Sequence, residues 1–154
     1  MEGKKAPAFT LQNENGDKVS LKDFVGKYVV LFFYPKDNTP GCTKEACRFT
    51  DIKKEFEKCD AVVLGCSADT VEKHQDFIAK QSLGITLLSD PDKKAIEKYE
   101  AWGEKNLYGK KSMGIIRSTV IIDPKGKIAA HWKPVRKAEE HPDVVLAKLK
   151  ELIG

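Results

Sequence analysis

Two cysteines five positions apart, Cys42 and Cys47, stand in the stretch YPKDNTPGCTKEACRF, residues 34–49. Such a pair could bind a metal, form a structural disulfide, attack a phosphate or cycle through oxidation. Two more cysteines follow, Cys59 and Cys66. No secretory signal pattern is recognisable at the N-terminus, so we expect all four to rest as reduced thiols.

Cys42 is predicted to lie in the first turn of a helix. A β-branched and aromatic run, KYVVLFFY, indicates a buried strand, and the loop after it leads into apolar positions spaced by three and four, at Cys42, Ala46, Phe49, Ile52 and Phe56. The positive end of the helix dipole and the unpaired N–H groups there favour a thiolate. Cys42 is therefore predicted to be nucleophilic, the alternative being an inert cysteine packed as a small hydrophobic side chain.

The spacing of the two thiols constrains their chemistry. Five residues of α-helix give about 7.5 Å of rise and about 140° of rotation, which puts the two Cα atoms roughly 8 to 9 Å apart. A disulfide needs about 7 Å or less. Cys42 and Cys47 therefore cannot bond while the helix is intact, and the rotation places Cys47 on the polar side, near Asp51 and Lys54. This argues against a permanent disulfide and for a conditional one.

Metal binding and dithiol reduction are less favoured alternatives. Zinc sites use cysteine pairs two to four residues apart with well-placed histidines, and the histidines here form no such motif: His74, His131 and His141. A thioredoxin-type reductase needs Cys-x2-Cys, which is absent.

A phosphatase is the closer rival, because Cys42-x5-Arg48 formally matches the phosphate-binding loop of tyrosine phosphatases. Such a loop must wrap its backbone around a phosphate. Here the intervening residues prefer helix, Glu45 would repel the dianion, and Phe49 follows the arginine where a serine or threonine is usual.

The remaining elements alternate between strand and helix. FTLQNENGDKVSL predicts an N-terminal β-hairpin with a primed turn at Asn15-Gly16, AVVLGCSA and ITLLS predict strands, and TVEKHQDFIAKQ predicts a helix. DPDKKAIEKY predicts a helix capped by Asp90 with Pro91 at its first position. STVIIDPKGKIAAHW predicts two strands, and HPDVVLAKLKELI a closing helix. We predict one α/β domain, residues 1–154, with a mixed sheet.

Composition narrows the functional class. The chain has 27 Lys and Arg against 23 Asp and Glu, a net charge of +4, and the two signs are interleaved as on solvated helices. We therefore expect no nucleic-acid partner. The longest apolar run is far below the roughly 18 residues of a membrane span, so we expect a cytoplasmic protein that does not bind membranes.

The motif Pro35-x3-Thr39-x2-Cys42 resembles the active-site signature of the peroxiredoxins, and TPGCTKEACRF resembles their bacterioferritin comigratory protein (peroxiredoxin Q) subfamily. The likeness covers nearly the whole chain, including WGEKNLYGKKSMGIIRSTVIIDPKGKI. It implies a thioredoxin-like fold, with a central mixed sheet flanked by helices, and a thiol-dependent hydroperoxide peroxidase that needs no metal, haem or flavin.

The resemblance also implies roles for individual residues. Cys42 would attack the peroxide and become a sulfenic acid, Thr39 would hydrogen-bond the peroxide, and Pro35 would shield the thiolate. Arg117, at the start of a late strand, would stabilise the thiolate and the charge that develops as the O–O bond breaks. The N–H groups of Gly41 and Cys42 would share that work.

Cys47 matches the resolving position of subfamily members that carry both cysteines on one helix. It would form a Cys42–Cys47 disulfide after local unwinding, and thioredoxin or a similar dithiol donor would reduce it. Many relatives are monomers, and we expect the same here. Cys59 and Cys66 match no motif position, and Cys66 is expected in the core. A non-enzymatic alternative is a peroxide-responsive switch or holdase that uses the same cysteine pair without sustained turnover.

Overall fold

The computed structural model describes residues 1–107 and 109–154. Its strands are β1 (Thr10–Gln12), β2 (Lys18–Ser20), β3 (Tyr28–Phe33), β4 (Ala61–Ser67), β5 (Thr86–Ser89), β6 (Trp102–Leu107), β7 (Lys110–Ile115), β8 (Ser118–Ile122) and β9 (Ile128–Trp132). Its α-helices are α1 (Pro40–Asp51), α2 (Lys53–Lys58), α3 (Val71–Gln81), α4 (Lys94–Lys98) and α5 (His141–Ile153).

A seven-stranded mixed sheet forms the centre of the fold, in the order β2-β1-β5-β4-β3-β8-β9. Strands β3, β4 and β5 are parallel, whereas β8 pairs with β3, and β9 with β8, in antiparallel fashion. The carboxyl ends of the three parallel strands therefore meet at one edge, where α/β proteins commonly bind ligands. The predicted mixed sheet with flanking helices is confirmed.

The two faces of β3 explain its continuous apolar sequence. Val30 and Phe32 pack in one core cluster with side chains of α1, α2, α3 and α5. Val29, Leu31 and Phe33 pack in a second cluster, on the opposite face, with side chains of α4. Both faces are covered, as expected for a parallel strand, so no polar alternation survives in its sequence.

The apolar stripe predicted from Cys42 to Phe56 is carried by two helices. The first ends at Asp51 and the second begins at Lys53, with Ile52 (φ −106°, ψ 15°) outside helical geometry between them. Cys42 and Phe56 are both still buried in one cluster. The 3.6-residue periodicity thus identified the buried face but not the interruption.

The N-terminal hairpin is present, but its predicted turn is wrong. Both primed turns at Asn15-Gly16 would require a positive φ at Asn15, and in this loop only Gly16 has one, at 80°. The Gly16 N–H donates to the Asn13 carbonyl (3.0 Å), and Asn13 Oδ1 accepts the N–H groups of Asn15 and Asp17 (2.9 and 3.0 Å). The Asn13 side chain therefore organises an earlier turn, from Asn13 to Gly16.

The predicted start of α4 is also wrong. The helix begins at Lys94, after Lys93 in the left-handed region (φ 61°), and neither Asp90 nor Pro91 is the cap or first residue. The Asp90 carboxylate nevertheless accepts the N–H groups of Lys94 (3.0 Å) and Ile96 (2.9 Å). Asp90 thus supplies acceptors for N–H groups of the first helical turn although it lies four residues before the helix, because the intervening residues form a turn.

The hairpin of β6 and β7, which the sequence did not predict, forms a separate two-stranded sheet. Most of its residues are not buried, so its sequence lacks a clear apolar alternation. Among the described residues, no helix has the length and apolar character needed to cross a bilayer.

Candidate active site

The loop between β3 and α1 delivers Cys42 to the first turn of α1. Thr39 is the residue before the helix, and Pro40 takes the first helical position. The Thr39 hydroxyl does not cap the helix; it donates to the Lys36 carbonyl at 2.7 Å. The N–H groups of Gly41 and Cys42 precede the first intrahelical hydrogen bond and are available to a bound oxygen.

Cys42 and Arg117 are in direct contact, although 75 residues separate them. Cys42 is only 1% exposed, and Arg117 Nη2 donates to its sulfur at 3.3 Å. Arg117 lies immediately before β8, the strand paired with β3, so the sheet itself brings the guanidinium to the thiol. The arrangement places a fixed positive charge beside the one thiol predicted to be nucleophilic.

Glu45 holds the other side of the guanidinium. Its side chain is fully buried, and its Oε1 accepts Arg117 Nη1 at 2.8 Å. Burial raises the pKa of Glu45 to about 7, and the charge of Arg117 offsets part of that effect. Burial alone would lower the pKa of Arg117, but the charges of Glu45 and then Cys42 raise it, so Arg117 stays protonated.

Gly41 and Pro35 shape the space around this pair. A Cβ at Gly41 would lie 3.1 Å from Arg117 Nη2, so the glycine gives the guanidinium room. A cavity of about 600 Å³ opens beside Arg117 and is also lined by Pro35, Glu104, Lys105, Asn106, Ile116, Lys133, Pro134 and Val135. The β6–β7 hairpin, which sequence analysis missed, thus supplies part of the wall.

Cys47 lies in the same intact helix and is not bonded to Cys42. It is half-buried, packs against the core and has its sulfur 3.9 Å from Gln81 Oε1 on α3. Burial, and then the charge of Asp51, raises the pKa of its thiol. The predicted proximity to Asp51 holds, but the position is less polar than the helical pattern indicated because Cys47 also packs against the core cluster.

The other two cysteines lie outside α1, and neither is among the described hydrogen-bond partners of Arg117. Cys66 is fully buried on β4, as predicted for a core residue, and burial followed by the charge of Asp90 raises the pKa of its thiol well above the usual value. Cys59 follows α2 and is half-buried. Both are free thiols.

A buried polar cluster that the sequence did not predict lies beside the loop and is formed by Asp37, Asp69 and His74. Their metal-ligand-type atoms lie within 4.8 Å of one another, so His74 does take part in a cluster that the sequence spacing did not reveal. The side chains hydrogen-bond to protein groups, which accounts for the cluster without an ion. A histidine on the apolar face of α3, one turn from Phe77, was the available signal.

A buried thiol beside an arginine in the first turn of a helix, on a thioredoxin-like fold, is the arrangement expected of a cysteine-based peroxidase. The model of the AhpC/TSA family matches residues 3–131, and the chain belongs to that family of peroxiredoxins.

More particular similarity is to the Bcp and peroxiredoxin Q group. The chain is 45% identical over 150 residues to peroxiredoxin Bcp of Bacillus subtilis, covering 97% of this chain and 95% of that one. It superposes with a TM-score of 0.89 on the bacterioferritin comigratory protein of Xanthomonas campestris, at 39% identity, covering 95% and 92% of the two chains; that protein was studied for alkyl peroxide reduction. The Mycobacterium tuberculosis BcpB structure gives a TM-score of 0.86 at 34% identity, covering 98% and 97%. The predicted family and fold are confirmed.

Proposed function

We propose that this peroxiredoxin reduces hydrogen peroxide and organic hydroperoxides to water and alcohols, with Cys42 as the attacking thiol and Cys47 as the resolving thiol. One observation carries the assignment of Cys42: its sulfur is the one that Arg117 contacts, at 3.3 Å, in the first turn of α1. Cys66 and Cys59 have no comparable cation among their described hydrogen-bond partners.

In the first step, the Cys42 thiolate attacks the terminal oxygen of the hydroperoxide. The S–O bond forms as the O–O bond breaks, and the departing alkoxide or hydroxide takes up a proton to leave as alcohol or water. Arg117 and the N–H groups of Gly41 and Cys42 stabilise the negative charge on the two oxygens. Because the Thr39 hydroxyl donates its own hydrogen to the Lys36 carbonyl, its oxygen is free to accept a hydrogen bond from the peroxide O–H. Pro35, on the cavity wall, limits access of water.

In the second step, the Cys47 thiol loses its proton and its sulfur attacks the sulfenic sulfur of Cys42; the S–S bond forms as the S–O bond breaks, and the displaced hydroxide takes up a proton and leaves as water. An intact α1 keeps these residues more than a disulfide length apart, so α1 must unwind first. A dithiol donor then reduces the disulfide by exchange. The raised pKa of Cys47 fits a thiol that reacts after it has been released from the fold.

The remaining parts of the proposal concern the setting of this reaction. We assign the whole chain, residues 1–154, to one domain that acts as a cytoplasmic monomer and is recycled by thioredoxin or a similar dithiol. The interleaved charges and a net charge of only +4 support the absence of a nucleic-acid partner. The steps above use protein side chains and a thiol reductant, without metal, haem or flavin.

A coupled assay tests the two cysteine roles. With thioredoxin, thioredoxin reductase and peroxide, Cys42→Ser should abolish sustained NADPH consumption. Cys47→Ser should still form a sulfenic acid but fail to recycle through the internal disulfide. Peptide mapping after peroxide treatment should find Cys42 linked to Cys47; a bridge from Cys42 to Cys59 or Cys66 would reassign the resolving thiol.

A peroxide-responsive switch without turnover is the alternative use of the same pair. Family membership and the peroxidase relatives do not favour it. Oxidation that stops after one equivalent, with no further NADPH consumed, would support it.

A further inference from the structure

One side chain of the loop between β3 and α1 points into the protein interior. Of residues 35–40, Asp37 alone is buried, with 6% of its surface exposed, while its neighbours Lys36 and Asn38 are exposed. The Asp37 carboxylate accepts the Tyr34 hydroxyl at 2.6 Å and contacts His74 Nδ1 at 2.6 Å. The loop is thus anchored two residues from both Pro35 and Thr39.

The anchor reaches across the ends of the three parallel strands. Tyr34 directly follows β3, Asp69 follows β4, and His74 Nε2 donates to the carbonyl of Leu88 on β5 at 3.0 Å. Because that carbonyl can only accept, Nε2 carries a proton, and the short contact from Nδ1 to Asp37 holds a second one between the two groups. Both side chains are buried, and these hydrogen bonds supply the partners that buried polar groups require.

Asp69 contacts the backbone of the loop directly. Its Oδ2 accepts the backbone N–H of Asp37 at 2.8 Å and the Ser67 hydroxyl at 2.7 Å. The N–H of Asp37 shares one planar peptide unit with the carbonyl of Lys36, and that carbonyl accepts the Thr39 hydroxyl at 2.7 Å. Fixing the N–H therefore also fixes the direction of the carbonyl.

We propose that Asp69 is a positioning residue for the peroxide reaction: through the Lys36–Asp37 peptide plane it sets the direction in which the Thr39 hydroxyl donates, and so the lone pair that Thr39 offers to the peroxide. The Asp37–His74 pair holds the same loop against rotation. This inference rests on the proposed roles of Cys42 and Thr39, and it concerns how the peroxide is aligned rather than how the thiolate is formed.

Two reactions of the Cys42 thiol distinguish an effect on peroxide alignment from an effect on thiolate formation. Oxidation of Cys42 by hydrogen peroxide in a single turnover depends on both, whereas alkylation by iodoacetamide does not use Thr39. For Asp69→Ala we expect peroxide oxidation to slow by roughly tenfold or more, as for loss of one well-aligned hydrogen bond in a transition state. Alkylation should stay within about twofold.

A double-mutant cycle shows whether Asp69 acts through Thr39. In a Thr39→Val background, Asp69→Ala should slow oxidation by less than about twofold, since the hydroxyl that it orients is gone. Asp69→Asn retains an oxygen for the Asp37 N–H and should restore most of the wild-type rate. Asp76→Ala is the matched control, because Asp76 accepts a hydrogen bond from Asn38 of the same loop at 3.3 Å but is exposed.

The proposal is overturned if the Asp69 and Thr39 effects multiply, or if Asp69→Ala slows alkylation as much as oxidation. Should Asp69→Ala fail to fold by circular dichroism, Ser67→Ala, which removes one donor to Asp69, gives the same cycle with a smaller expected effect. Cys42→Ser separates the two levels of inference. If that variant still reduces peroxide, the site assignment fails; if it does not, while Asp69→Ala oxidises at the wild-type rate, only the positioning role fails.

Discussion

Replacing Glu45 by glutamine should remove a large part of the pH dependence of stability. In the folded protein burial raises the pKa of Glu45 to about 7, against an ordinary value of 4.5. The folded state therefore keeps a proton that the unfolded chain loses, so this contribution to stability is complete below pH 4.5 and is lost as the pH rises through 7. From these two values, the wild-type protein should lose roughly 2 to 3 kcal/mol between pH 5 and pH 8 because of Glu45 alone.

The variant isolates this effect because other groups are common to both proteins. His141 has its pKa lowered to about 4 by burial and by Arg117, so it changes stability in the opposite sense, losing its contribution as the pH falls from 6.5 through 4. In Glu45→Gln the amide oxygen can still accept Arg117, while the amide nitrogen takes the place of Oε2, which has no partner among the described residues. The energetic cost of placing an amide nitrogen there does not vary with pH. The two proteins are therefore compared by how their free energies of unfolding change with pH, not by the absolute values.

The assay is urea unfolding of both proteins at pH 5, 6, 7 and 8 with a reductant present. Glu57→Gln serves as the control, because Glu57 is exposed and its ion pair among the described residues is with Lys53, at 3.6 Å. Its pH dependence should match that of the wild type. Equal losses of stability by wild type and Glu45→Gln between pH 5 and pH 8 would refute a protonated, buried Glu45.

Three further substitutions test the surroundings of Cys42. Arg117→Lys cannot keep both guanidinium contacts and should slow peroxide oxidation about 100-fold in single-turnover measurements; a near-normal rate would remove the arginine from the charge-stabilising role. Gly41→Ala should slow the same reaction without lowering the thermal midpoint, since the new methyl group crowds Arg117 while alanine suits a helix, and a faster reaction would contradict this. Asp143→Asn weakens the two-pronged contact with Arg48 that ties α1 to α5, at 2.7 and 2.8 Å, and should speed disulfide formation roughly two- to fivefold by rapid-quench mapping; an unchanged rate would show that this contact survives unwinding.

Local patterns predicted the elements that present Cys42. The strand before it is apolar on both faces, and proline with threonine at the helix start leaves a recognisable sequence, so both elements could be read without knowing their neighbours. The contact between Cys42 and Arg117 could not be predicted in this way. The two residues are 75 positions apart, and the pairing of β3 with β8 brings them together. Only the family resemblance pointed to Arg117, and nothing in the sequence paired it with Glu45.

The features that were predicted wrongly or not at all depend on interactions that local sequence patterns do not reveal. The Asn13 side chain displaced the predicted turn, and a left-handed Lys93 moved the start of α4. Asp37 and His74 lie 37 residues apart, and only the fold makes them neighbours. A short exposed hairpin, β6 with β7, has too little apolar alternation to be recognised.

The interruption at Ile52 limits how far a disturbance in α1 can spread. Helix formation is cooperative along a continuous hydrogen-bond ladder, and a segment of twelve residues is only marginally stable without packing partners. Because the ladder breaks before α2, the twelve residues that carry both thiols form a melting unit of their own. Opening α1 removes the contact of Phe49 with Phe56, but Phe56 itself is carried by α2 and its helix need not unwind. In the proposed mechanism, the unwinding of α1 in each catalytic cycle therefore leaves the hydrogen bonds of α2 in place, and α1 can refold against the rest of the core cluster.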